Sequence, residues 1–294
     1  MIESNRPSWR TLLSENQPLV LPGAYDALSA KLVERAGFDA FVIGGFPLLG
    51  SRYGLPDIGL AGLGEMVAGV VDILRATTLP VLVDADHGYG DVRNVTRTVR
   101  TYEELGVAAL LLEDQRMPKR CGHAAGKSVI PVLEMEAKVR AAAAARDDPS
   151  LFLIARTDAR ATNGLDDALR RAERYILAGA DGIFVEAPQS EDELVKIAHA
   201  FDVPQVCNML VGGLTPILTN RELHAMGFQM IVHGTTLIKR VARVLEQTLS
   251  QLRDDTLNCD PEDFVTLAEF MQINDVQDWA DIEASFAPKH SESL

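Results

Sequence analysis

Residues 80–90 read Pro80-Val81-Leu82-Val83-Asp84-Ala85-Asp86-His87-Gly88-Tyr89-Gly90. A short apolar run stops abruptly at two acids and a glycine-rich turn. The run is continuous rather than alternating, the pattern of a strand buried on both faces of a parallel sheet. The unit recurs on both sides of it. Leu19–Leu21 ends at Pro22-Gly23, Ala40–Ile43 at Gly44-Gly45, Ala109–Leu112 at Glu113-Asp114 and Leu151–Ala155 at Arg156-Thr157-Asp158. Gly182–Val185 ends at Glu186, Pro204–Cys207 at Asn208 and Met230–Val232 at His233-Gly234. Between these runs, apolar residues at three- and four-residue spacing predict helices over 26–36, 65–75, 95–105, 134–145, 165–178, 191–200, 221–226 and 237–252. Gly37, Gly106, Gly179 and Gly227 stand where those helices should stop. Eight strand–helix units in order predict an α/β fold, a (β/α)8 TIM-type barrel. An open doubly wound sheet is the alternative, because closure is not written in a linear pattern.

The chain has 294 residues, which fits one barrel of roughly 250 residues with an addition. No Pro/Gly/Ser linker divides it, so residues 1–294 read as one barrel domain with 253–294 as a C-terminal helical extension. Helices are expected there over 263–271 and 276–286, followed by a loose tail, KHSESL. Lys plus Arg number 28 against 42 Asp plus Glu, a net charge of -14. Such a chain is a poor general binder of nucleic acid, whose affinity comes from neutralised phosphates. Cys121, Cys207 and Cys259 are odd in number and far apart, neither a disulfide framework nor a zinc spacing. The opening MIESNRPSWR has no apolar leader segment, and no run approaches the roughly 18 apolar residues of a membrane span. These features predict a cytoplasmic protein with no membrane partner.

In such a barrel the chemistry comes from the carboxyl ends of the strands. Here those ends carry Asp84, Asp86, Glu113, Arg156, Asp158, Glu186, Asn208 and His233. Solvent beginning where a strand stops explains any one of them, Asp114 or Asp158 first. It does not explain the set. Asp84 and Asp86, two apart on a strand, point to one side, and with Glu113 they form an acidic cluster without an adjacent basic partner. Oxygen ligands of this kind suit a hard divalent cation such as Mg2+. A turn cluster around Gly88 and Gly90 is the blander reading. Lys119-Arg120-Cys121-Gly122-His123 sets a thiol among cations, which favours thiolate and makes Cys121 a candidate proton donor or acceptor. Cys207, inside an apolar run, reads as packing, and His233 as a structural histidine. Arg156 suits a bidentate carboxylate contact or an ion pair with a barrel acid. Gly44-Gly45 reads as a tight turn or as backbone N–H groups facing an anion.

LPDIG (55–59), DADHGYG (84–90), LEDQ (112–115), KRCGH (119–123), IARTDA (154–159), GLDDALRRAERY (164–175), EAP (186–188) and NMLVGGLTP (208–216) resemble the isocitrate lyase and phosphoenolpyruvate mutase superfamily. The likeness runs in order from about residue 22 to about residue 252, and points to the 2-methylisocitrate lyase and 2,3-dimethylmalate lyase-like (petal death protein-like) enzymes. It implies a barrel and a homotetramer that exchanges the eighth helix between subunits. It also implies a Mg2+-dependent reaction, with Mn2+ as a substitute. Asp84 and Asp86 then match metal carboxylates, with Asp57 and Glu113 supporting bound waters. Cys121, with Lys119 and His123, lies on a mobile gate around 119–127, and without ligand residues 117–128 are expected to be mobile or to stand away from the metal carboxylates. Arg156, Glu186 and Asn208 match substrate-binding positions, and Gly44 and Gly45 the backbone that holds an α-keto acid carboxylate.

Three positions depart from the pattern. Methylisocitrate lyases carry Tyr where this chain has Val42 and Ser where it has Gly44, and close relatives often carry Glu where it has Val211. A less polar or smaller substrate end is implied. The expected activity is cleavage of a 2-hydroxy di- or tricarboxylate to an α-keto acid and a second carboxylic acid. P–C bond chemistry of the carboxyphosphonoenolpyruvate or phosphonopyruvate type, and oxaloacetate hydrolysis or decarboxylation, are the alternatives. A non-catalytic binding protein on the same scaffold is disfavoured by the presence of the acids, Cys121 and Arg156 together.

Overall fold

A computed structural model describes residues 7–15 and 17–287; the tail KHSESL and the first six residues lie outside the described residues. Eight strands form one sheet: β1 (Leu19–Pro22), β2 (Phe41–Ile43), β3 (Val81–Asp84), β4 (Ala109–Glu113), β5 (Phe152–Thr157), β6 (Gly182–Val185), β7 (Gln205–Asn208) and β8 (Met230–His233). All ladders are parallel, in the order β1-β8-β7-β6-β5-β4-β3-β2. β1 pairs with β8 from Leu19 opposite Met230 to Pro22 opposite His233. The last seam, β1 to β2, is drawn together by a parallel bridge between Gly23 and Val42, with the Ala24 N–H donating to the Val42 carbonyl at 3.0 Å. The sheet is therefore a nearly closed barrel, and the open doubly wound alternative falls. Glycine is required at that corner: a Cβ on Gly23 would stand 2.0 Å from the Gly234 carbonyl oxygen.

The helices are α1 (Trp9–Glu15), α2 (Ala27–Arg35), α3 (Gly45–Tyr53), α4 (Leu63–Leu74), α5 (Val92–Glu104), α6 (Val132–Ala145), α7 (Ala159–Asn163), α8 (Leu165–Leu177), α9 (Glu191–Ala198), α10 (Asn220–Met226), α11 (Thr236–Arg253), α12 (Leu267–Ile273) and α13 (Val276–Phe286). Each expected barrel helix forms, with its ends moved by no more than a few residues. α1, α3 and α7 are additions.

Strand residues alternate between two cores, which is why the runs are apolar throughout. Phe41, Ile43, Val81, Val83, Leu110 and Leu112 face the surrounding helices. Leu19, Ala40, Ala109, Phe152 and Met230 fill the barrel interior near the strand starts, and Val42, Leu82, Leu111, Phe184 and Val232 fill it toward the strand ends. α1 closes the starting end. Its Trp9 is fully buried in the interior core and donates its indole N–H to Met230 Sδ at 3.4 Å. Each fully buried Leu or Phe contributes about 1.5–3 kcal/mol.

The chain falls into two compact units, residues 1–241 and 242–294. In the second, the helix expected over 263–271 starts later. Pro261–Asp263 forms a 3-10 turn, and α12 is capped by Thr266. Thr266 Oγ1 accepts from the Glu269 N–H at 3.2 Å while the Glu269 carboxylate accepts from the Thr266 N–H at 2.9 Å. This reciprocal cap fixes the helix start.

Candidate active site

A cavity of about 370 Å3 opens at the carboxyl ends of the strands. Eleven of the twelve residues singled out above line it: Gly44, Gly45, Asp57, Asp84, Glu113, Lys119, Cys121, His123, Arg156, Glu186 and Asn208. The twelfth, Asp86, is buried and meets the others through Lys119. The interior-core residues Val42, Leu82, Leu111, Phe184 and Val232 make an apolar floor.

Asp84 ends β3 and accepts the Asp86 N–H at 3.0 Å. Asp86 takes the left-handed conformation, φ 49°, which Asp tolerates better than most residues. Its carbonyl accepts the Glu113 N–H at 2.8 Å, tying the β3 turn to the end of β4. The expectation that these acids lack a basic partner is corrected. Lys119, almost fully buried, lies 2.7 Å from Asp57 Oδ1 and donates to Asp86 Oδ1. It arrives on the loop after β4, so nothing adjacent in sequence announces it. Burial pushes the Asp86 carboxyl up to about 7; Lys119 pulls it down, and Asp84 and Asp57 add to the rise. Burial likewise raises Asp84, and raises Glu113 well above the carboxylate range, against Arg156 and Lys119. Burial pulls the Lys119 ammonium down, but Asp86, Glu113, Asp57 and Asp84 outweigh it.

Among the described residues no three His, Cys, Asp or Glu side chains converge into a finished metal cage. The donor set nevertheless fits a hard cation that keeps several waters and takes only one or two carboxylates directly. Asp86 and Glu113 are buried, Asp57 and Asp84 are half-buried at the cavity wall, and Glu113 Oε1 has no hydrogen-bond partner.

The gate does not stand away from these carboxylates. The loop over 119–127 is docked by three cationic or imidazole side chains, each against a buried acid. Lys119 meets Asp57 and Asp86. His123 Nε2 lies 3.0 Å from Glu186 Oε1, off the line of an aligned hydrogen bond, while its Nδ1 accepts the Leu214 N–H at 2.9 Å. Accepting there leaves Nε2 as the ring's protonated nitrogen. Lys127 donates to Asp158 at 2.5 Å and to the Gly122 carbonyl. Gln115 holds the loop's Arg120 through both backbone groups, at 2.9 and 3.0 Å. Cys121 is left half-buried at the cavity wall. Cys207 is buried, and burial, with Glu186 nearby, raises its thiol far from thiolate formation, so the packing reading holds. His233 Nε2 is 2.8 Å from Asn220 Oδ1, a satisfied structural histidine.

Arg156 carries the ion-pair reading. Its Nε is 2.9 Å from Asp158 Oδ2, and its Nη2 is 3.2 Å from Asp158 Oδ1, 3.2 Å from Glu186 Oε2 and 3.5 Å from Glu113 Oε2. The guanidinium lies over the Phe184 ring, 5.4 Å from its centre. Burial would raise the Glu186 carboxyl, but Arg156, His123 and Lys127 hold it at about 2. Asn208 Oδ1 is buried without a partner. Gly44 is not a bare turn: it caps α3, whose first residue is Gly45. A Cβ on Gly45 would lie 3.1 Å from Asp57 Oδ1. The helix start therefore presents backbone N–H groups beside the acids.

Asp114 and Asp158, read above as solvent-edge residues, are fully buried. Asp114 accepts from Thr157 Oγ1 at 2.8 Å, the Asp158 N–H at 2.9 Å, the Tyr175 hydroxyl at 2.8 Å and Arg171 at 3.3 Å. The linear pattern hides the Lys127–Asp158 ion pair and the burial of Asp114 and Asp158.

A family model described as phosphoenolpyruvate phosphomutase matches residues 9–253. The chain is 41% identical to 2,3-dimethylmalate lyase of Eubacterium barkeri over 95% of its length and 96% of that protein's. It is 42% identical to the chloroplastic carboxyvinyl-carboxyphosphonate phosphorylmutase of Arabidopsis thaliana, over 94% and 83%. The structure of oxaloacetate acetylhydrolase in complex with 3,3-difluorooxalacetate superposes with a TM-score of 0.91 at 31% identity, covering 98% of this chain and 99% of that one.

Proposed function

The chain belongs to the phosphoenolpyruvate mutase and isocitrate lyase superfamily, and from that premise we propose a Mg2+-dependent carbon–carbon lyase. It cleaves a 2-hydroxy di- or tricarboxylate of the 2-methylisocitrate or 2,3-dimethylmalate type to an α-keto acid and a second carboxylic acid. The observation that carries this reading is the Cys121 loop docked over the buried acids, inside one cavity.

Asp84 and Asp86 would hold the cation, with Mn2+ as a substitute, and Asp57 and Glu113 its waters. When bound, it supplies Lewis-acid stabilisation of negative charge at the keto-acid oxygens. The N–H groups at the start of α3 and Arg156 orient the carboxylates. Glu186 and Asn208 complete the substrate contacts. Breaking a C–C bond beside a carboxylate leaves a strongly basic carbon, and Cys121 Sγ, with Lys119 and His123 on the same loop, delivers the proton that quenches it. The docked loop excludes bulk water. Val42 in the floor and Val211 beyond β7 support a substrate with an apolar or small end.

The homotetramer with an exchanged eighth helix, cytoplasmic and without nucleic-acid or membrane partners, belongs to the same proposal, as does one barrel with 253–294 as a helical extension. Two observations support the exchange. Leu28 and Leu32 of α2, 39% and 42% exposed, line an apolar trough of about 500 Å3 beside His233 and Leu237. α11 carries exposed Val244, Leu245, Leu249 and Leu252.

Hydrolysis of oxaloacetate is the second reading, favoured by Val211 where relatives carry a carboxylate and by the likeness to the acetylhydrolase. Coupled assays with Mg2+ across 2,3-dimethylmalate, 2-methylisocitrate, oxaloacetate and phosphonopyruvate test both. Keto-acid release from the first or second supports the lyase. Turnover of oxaloacetate or phosphonopyruvate alone refutes it.

A further inference from the structure

Asp158 sits where three parts of the site meet. Its carboxylate takes Arg156 Nε at 2.9 Å and Nη2 at 3.2 Å, and the same Oδ1 takes Lys127 Nζ at 2.5 Å. Lys127 in turn donates to the Gly122 carbonyl, one residue from Cys121. Asp158 is itself held from behind, its N–H donating to Asp114, which three further donors fix. Both side chains of the Lys127–Asp158 pair are almost completely buried. A solvated strand end would need none of this, and a lysine taken out of water on a loop is costly unless its partner waits for it.

We propose that Asp158 and Lys127 are positioning residues that clasp the Cys121 loop to the substrate-facing Arg156. When the loop seats, Lys127 brings the Gly122 carbonyl, and with it the Cys121 backbone, to a fixed place. The same carboxylate keeps the Arg156 guanidinium in the plane that faces the cavity. Loop closure and arginine orientation are thus one event. The clasp rests on the lyase reading for its role in turnover, but its mechanical content does not.

The test is the alkylation rate of Cys121 by iodoacetamide in the full-length protein, read peptide by peptide, with exposed Cys259 as internal reference. Lys127→Met should raise the Cys121 rate about tenfold or more, since removing one partner of a buried pair strongly destabilises the docked state, with Cys259 unchanged. Lys127→Arg, which keeps the charge, should restore most of the slow rate. With 2,3-dimethylmalate, Lys127→Met should lower kcat more than it raises KM. Asp158→Asn should match it in alkylation if it folds; Lys127→Met, on the loop, carries the test if it does not. A Cys121 rate in Lys127→Met within twofold of wild type overturns the clasp, as does a failure of Lys127→Arg to slow it. If the wild type leaves dimethylmalate untouched, the lyase reading fails while alkylation still decides the clasp.

Discussion

Replacing Gly122 by alanine should disable turnover while leaving the barrel intact. Gly122 has no left-handed φ, so alanine meets no backbone penalty there. What it meets is the site. The added Cβ would stand 2.5 Å from Arg156 Nη2, 2.6 Å from Glu186 Cγ and 2.7 Å from Glu186 Cδ. Comfortable contact between such atoms is roughly 3.5 Å, so the loop must withdraw by about 1 Å. Neither neighbour yields cheaply: Arg156 is held by Asp158, and Glu186 is buried between Arg156 and His123. A displacement of about 1 Å at the reacting groups is worth about 10²-fold in rate. Steady-state kinetics on the best substrate should show that loss mainly in kcat, because the groups proposed to bind the keto-acid half, Arg156, the α3 N–H groups and the acids, all remain. Thermal unfolding should be unchanged within a few degrees. A Gly122→Ala enzyme that turns over within threefold of wild type would refute the docked loop as the reactive geometry.

Cys121→Ser should retain α-keto acid binding yet lose about 10²- to 10⁴-fold in turnover, the usual share of general acid catalysis; a few-fold loss would exclude the thiol as the acid. Chelation should abolish activity, and Mg2+ or Mn2+ should restore it in wild type but not in Asp86→Ala, whose circular dichroism should stay native; full turnover after chelation would show the acids misread. Glu186 has its carboxyl lowered from 4.5 to about 2 in the folded protein. A lowered acid stabilises the fold above its unfolded value, and that contribution drains as pH falls through the folded one. The stability gap between wild type and Glu186→Gln, from urea denaturation, should therefore be widest above about 4.5 and close toward about 2; a gap independent of pH would contradict the ion pair.

Strands were legible because both faces of a barrel strand are buried, one against helices and one in the interior, and this writes an unbroken apolar run ending in polar groups. Helix ends were legible where glycine follows them, as at Gly37 and Gly227. α3 was hidden because Gly44-Gly45-Phe46-Pro47 has the composition of a turn, although the helix begins at Gly45. The acids Asp84, Asp86 and Glu113 and the thiol of Cys121 showed as local clusters. Lys119 as partner of the acids, and the burial of Asp114 and Asp158, did not. The partners in question lie 31 or more residues away, Lys119–Asp86 at 33, Lys127–Asp158 at 31 and Arg171–Asp114 at 57. Burial of a charge is decided by what folds over it, which no short window contains.

The floor of the cavity has a consequence for how this enzyme can change. Val42, Leu82, Leu111, Phe184 and Val232 touch the cavity and also form one end of the packed interior that α1 and Trp9 seal at the other. A large-to-small change there would enlarge the cavity and at the same time remove core, at about 0.5–1.5 kcal/mol for a single methylene and 2–5 kcal/mol for a leucine cut to alanine. Against a typical margin of about 5–15 kcal/mol, one such change is tolerable, but two or three leucine-sized cuts together consume most or all of it. Positions such as Leu210, which lines the cavity from the loop beyond β7 and stands outside the packed interior, carry no such burden. Selection for a new acid therefore has a graded route: substitutions at the mouth come early and nearly free of cost to folding, and floor substitutions follow only in a lineage that has first accumulated stability elsewhere.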